Sequence, residues 1–80
     1  MTHSAELLFA YETPEDAALV ERSVRQEVGD IEGDRTTASV SLDGTDLAVR
    51  VDADDLVALR AGINTWSTLV EVAERVGGVA

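Results

Sequence analysis

The chain has no cysteine and, among its six basic residues, no lysine; all six are arginines. Without cysteine there is no disulfide and no thiolate metal site. It has one histidine, at position 3. With no lysine and one histidine, general acid–base chemistry would rest on carboxylates alone. No serine, threonine or cysteine has a recognisable base partner, and no glycine-rich phosphate loop is present. Catalysis by this chain alone is therefore not expected, and no cofactor is indicated. No apolar run approaches the roughly 18 residues of a membrane span. The start, "MTHSAELLF", lacks the basic segment of a signal peptide. The expected location is the cytoplasm, with no membrane contact.

What is abundant is negative charge. Sixteen carboxylates face six arginines, for a net charge of −10 over 80 residues. Nucleic-acid binding uses a basic face that displaces counterions from phosphates, and six scattered arginines do not supply one. Self-repulsion of this size weakens a compact state in dilute buffer and is a lever used by halophiles. The composition reads as adaptation to molar salt, where the Debye length falls to about 3 Å. A chain this short makes one domain, residues 1–80, and buries only about 60% of its unfolded surface. Oligomerisation is the remaining common support.

The elements follow from punctuation and period. "AELLFAY" (5–11) reads as a first strand, with Leu7, Phe9 and Tyr11 on one face. Thr13 then reads as an N-cap, Pro14 as the first helical residue, and Glu15 and Asp16 as favourable charges in the first turn. This helix is expected to run to about Val28, burying Ala17, Val20, Val24 and Val28, with a Glu21–Arg25 pair on its outer side. "GDIEGD" (29–34) reads as a loop with Gly29 closing the helix. "TTASVSL" and "LAVRV" alternate around the turn "DGTD". If Leu42 faces Leu47, then Val40 faces Val49 and Ala38 faces Val51, so every inward pair matches. Asp52 is expected to cap the last helix, with Asp55 completing a capping box. That helix should end near Val76 at Gly77-Gly78. Its stripe Leu56, Leu59, Ile63, Trp66, Val70 and Ala73 has heptad-like spacing. Leu69, Val72 and Val76 form a second stripe, more than one small sheet can cover.

The predicted class is α+β, in the order β-α-β-β-α. A right-handed crossover places the third strand between the first two. The result is an antiparallel sheet of order 1-3-2 with both helices on one face. The other face carries Leu8, Ala10, Ser39, Ser41 and Ala48.

Three groups invite comparison with metal sites. His3 could bind copper or nickel but reads as part of a mobile terminus. Asp52, Asp54 and Asp55 lack the glycine and distal glutamate of a calcium loop and read as helix caps. Asp30, Glu32 and Asp34 read as a solvated acidic loop. No metal is expected. Arg60 stands among apolar neighbours on the last helix; it can cover them with its stem or face a partner.

"DLVALRAGINTW" (55–66) resembles the helix motif of the small dimerisation subunit of the KEOPS tRNA-modification complex. Leu59, Arg60, Ala61, Gly62, Ile63, Asn64, Thr65 and Trp66 occupy the motif's places, with Gly62 where alanine is usual. Element order and length match as well. The resemblance implies a non-catalytic subunit that dimerises with itself or a paralogue. It implies docking on the catalytic transferase subunit, in support of threonylcarbamoylation of adenosine 37 in tRNA. Contact with tRNA would come only through the complex. Arg60, Gly62, Asn64, Ser67, Leu69 and Val72 are the candidate contact residues, while Ile63 and Trp66 are expected to anchor the core. The alternative is a half-ferredoxin-like regulatory or ligand-binding domain unrelated to tRNA.

Overall fold

Each turn of the chain is set by a few residues with a local reason to be there. The computed structural model describes residues 2–28 and 35–79. Its elements are β1 (His3–Ala10), α1 (Pro14–Arg25), β2 (Thr36–Asp43), β3 (Asp46–Ala53) and α2 (Leu56–Gly77).

β2 and β3 meet in a two-residue hairpin. Gly44 takes φ +63° while Thr45 stays at negative φ, as in a type II′ turn, whose twist suits paired strands. Asp43 lies opposite Asp46, Leu42 opposite Leu47, Val40 opposite Val49 and Ala38 opposite Val51, the register read from the alternation. β3 is central and antiparallel to both neighbours, giving the order β1-β3-β2. Both helices lie on one face, α1 over β2 and β3, α2 over β3 and β1.

Beneath the helices, Leu47, Val49 and Val51 are wholly buried against Val20, Val24, Trp66 and Val70. Leu7, Phe9 and Tyr11 border this core, as do Ala38 and Val40. The opposite face stays open. Leu8 is 71% exposed there, and Arg50 bonds Asp52 at 3.1 Å.

The helix caps are local chemistry. Thr13 Oγ1 accepts from the Asp16 N–H at 3.1 Å, and Pro14 opens α1. α2 ends at Gly78, whose φ of +71° lets Val79 N–H reach the Glu74 carbonyl at 2.8 Å, closing the last turn as a left-handed cap does.

Several expectations are corrected. His3 is not a loose terminus; it is the first residue of β1, opposite Ala53. α1 ends at Arg25, three residues short of Val28. Glu27 and Val28 donate back three residues, to Val24 and Arg25, tightening the chain out of the α-helix. Glu21 faces inward and is buried. Asp52 belongs to β3, and the α2 cap is Asp55, whose carboxylate accepts from the Ala58 N–H at 2.8 Å. Gly29 and the acidic loop Asp30, Glu32 and Asp34 lie outside the described residues.

A candidate interaction surface on the second helix

Which residues α2 offers to a partner depends on how it is rotated against the sheet. Its start is fixed by Asp55, held by an ion pair with Arg35, and by Asp54 N–H donating to the Arg35 carbonyl at 3.0 Å. The line that meets the sheet is Ala58, Gly62, Trp66 and Val70, one residue every fourth position. Ala58, Trp66 and Val70 are buried. At Gly62 a Cβ would stand 2.7 Å from Val51 Cγ1. The helix therefore comes down onto β3 at this position, and no side chain fits between them.

This rotation differs from the heptad-like stripe. Ile63 lies about 100° around the helix from Gly62; it is half-buried and stands outside the core cluster. Leu56, expected inside, is 58% exposed. Trp66 is core, as expected, and Leu59, Leu69 and Ala73 pack at its margins.

The six candidate contact residues consequently separate. Arg60 and Asn64, one turn apart, both point to solvent. Among the described residues Arg60 on α2 and Arg22 on α1 have no ion-pair partner, while Arg25, Arg35, Arg50 and Arg75 are each paired. Val72 is exposed and Ser67 half-buried. Leu69 is half-buried, with one side on the core and the other in a shallow depression shared with Asn64, Thr65 and Thr68. Gly62 is turned inward, and the backbone approach that it permits is to Val51 of its own chain.

Two exposed aliphatics stand outside the six candidates. Val57 is 73% exposed and Val76 84%, so apolar surface continues at both ends of α2. Val76 belongs to the second stripe, but Val57 to neither. Its signal was its place in "LVAL", where three neighbouring aliphatics cannot all face one sheet.

The far end of α2 is tied to Tyr11, the residue that follows β1. Tyr11 Oη donates to Glu74 Oε2 at 2.7 Å. Burial, and then the bond to Glu74, push the phenol well above its usual range. No sequence pattern links two residues 63 apart. Of the three carboxylates compared with a cation site, Asp52 is engaged with Arg50, and Asp55 with Arg35 and its own helix, while Asp54 is exposed. No metal-holding cluster occurs among the described residues. Among them, no helix is long and apolar enough to cross a membrane.

A three-stranded sheet roofed by two helices, the longer showing an arginine and aliphatic side chains outward, defines a small α+β domain. A model of the family described as "Transcription factor Pcc1" matches residues 4–77. The chain belongs to this family, the small KEOPS subunits. A chain in the crystal structure of the binary complex Gon7-Pcc1 is similar in fold, with a TM-score of 0.84. The two are 17% identical, over 96% of this chain and 94% of that one. No curated protein matches the sequence.

Proposed function

We propose that this chain is a non-catalytic scaffold subunit of a cytoplasmic KEOPS complex. It pairs with itself or with a paralogue as a dimer. It docks on the catalytic transferase subunit and so supports threonylcarbamoylation of adenosine 37 in tRNA. The observation that carries this reading is the outward surface of α2: an unpaired Arg60 beside Asn64, with exposed Leu56, Val57, Val72 and Val76 along the same helix. Aliphatic surface around an arginine suits a protein partner, since arginine is enriched at interfaces while most charged residues are depleted from their cores. The related fold comes from a two-chain complex, which supports a protein partner for this chain too.

The net charge of −10 argues against direct reading of DNA or tRNA, whose binding depends on neutralising phosphates. The depression beside Leu69 is open and carried by one helix, a shape for a partner's side chain. The test is reconstitution in molar salt. Affinity-tagged transferase subunit should retain this chain through washing, and modification of tRNA should depend on its presence. A transferase that neither retains it nor responds to it would sink the proposal.

A further inference from the structure

The two outer edges of the sheet are not alike. The hairpin closes on the Asp43–Asp46 pair, and from there the ladder alternates. In this register Thr36, Ala38, Val40 and Leu42 turn their N–H and C=O groups away from β3. The Val40 carbonyl accepts from Arg25 Nη2 at 3.2 Å. Arg25 is itself held by Glu21, one helical turn earlier. The Glu21 side chain is 12% exposed and the Arg25 side chain 54%, so a sunken carboxylate anchors a guanidinium that reaches the sheet edge. By the same alternation Ser4, Glu6, Leu8 and Ala10 turn outward on β1, and among the described residues no side chain bonds to that edge.

We propose that the Glu21–Arg25 pair guards the outer edge of β2, seating a guanidinium on the Val40 carbonyl so that a strand from another copy of this chain cannot add there. An added strand would lie about 4.8 Å from β2, in the space the guanidinium occupies. Entry would require moving Arg25 and leaving the Glu21 carboxylate sunken with no counter-charge, which is strongly unfavourable. Charged side chains at sheet edges are a recurrent defence against unwanted pairing. This inference does not depend on the KEOPS role, because it concerns copies of one chain.

The test compares wild type with Arg25→Ala by light scattering at matched concentration in molar potassium chloride. The variant should show a weight-average mass at least about twofold higher. Hydrogen exchange at the Val40 and Leu42 amides should slow by about tenfold or more. Because the single change strands Glu21, a second variant, Glu21→Leu/Arg25→Ala, removes both charges and is expected to keep the wild-type circular dichroism with the same rise in mass. A folded double variant at wild-type mass overturns the proposal. So does a rise in mass with new protection on β1 or α2 and none at Val40 and Leu42. The unaltered chain gives a further test that needs no variant. Raising its concentration about 100-fold should leave exchange at Val40 and Leu42 unchanged, since pairing at a guarded edge does not follow mass action; slowing there overturns the guard.

Discussion

Replacing Gly62 by alanine tests the rotation of α2 directly. On helix propensity alone the change should stabilise the domain by about 1 kcal/mol. The sheet opposes it. The new Cβ would lie 2.7 Å from Val51 Cγ1, where an ordinary carbon contact is about 3.5–4.0 Å. Val51 is wholly buried in the central strand, so it has no open space to turn into. Overpacking of this kind costs about 1–3 kcal/mol. The expected net result is a loss of about 0–2 kcal/mol, or up to roughly 15 °C in midpoint for a domain of this size, at about 4–8 °C per kcal/mol. The sharper test is a double-mutant cycle with Val51→Ala. Once the valine methyls are gone, Gly62→Ala should become stabilising, with a coupling of about 1–3 kcal/mol between the sites. Thermal melts by circular dichroism, at several concentrations in molar salt, measure all four proteins. If Gly62→Ala stabilises the wild-type background, or has the same effect in both, the close approach is not what fixes this glycine.

Arg60→Glu should shift stability by about 0.5 kcal/mol or less, as expected at an exposed site, yet weaken retention by the transferase subunit, because reversed charge penalises the complex; wild-type retention of the folded variant would remove Arg60 from the interface. Tyr11→Phe should lose about 1 kcal/mol at neutral pH with the Glu74 bond. The raised phenol pKa also sets a pH dependence: the unfolded chain releases its proton near pH 10 while the folded one keeps it, so the Tyr11 contribution is intact below that pH and declines above it. Melts at pH 8 to 11 should therefore fall more steeply for wild type than for Tyr11→Phe, and parallel curves would refute the coupling. Midpoints should rise between about 0.1 and 3 M potassium chloride as screening relieves the repulsion among carboxylates; a flat profile would end the high-salt reading.

The sheet was legible in the sequence because its signals agree. Alternation from Thr36 to Leu42 and from Leu47 to Val51 leaves one register that turns both sets to the helix side, with Leu47, Val49 and Val51 buried and Leu42, at the hairpin end, exposed; Gly44 supplies the turn between them. The rotation of α2 was not legible for the opposite reason. Aliphatic residues occur around much of that helix, so counting them favoured Leu56 and Ile63. The positions nearest the sheet are Ala58 and Gly62, chosen for smallness, which a hydrophobic count ranks low. Asp52 and Asp55 both fit a cap, and only the extent of β3 separates them. Glu21 had the spacing of an ordinary surface pair with Arg25, and nothing local revealed that β2 lay close enough for Arg25 to reach Val40. Arg60 and Asn64 were placed on one side of α2 from their spacing alone, and both do face solvent. Tyr11 and Glu74 meet only through the whole fold.

The long helix is a beam clamped along its length. Gly62 lets it rest on β3, Trp66 and Val70 seat it in the core, Tyr11 holds Glu74, and a Cβ on Gly77 would stand 2.7 Å from Leu19 Cδ2. The exposed Val72 and Val76 therefore ride on a rod fastened on its hidden side, and whatever lies against them meets a surface whose height is set by the buried face beneath.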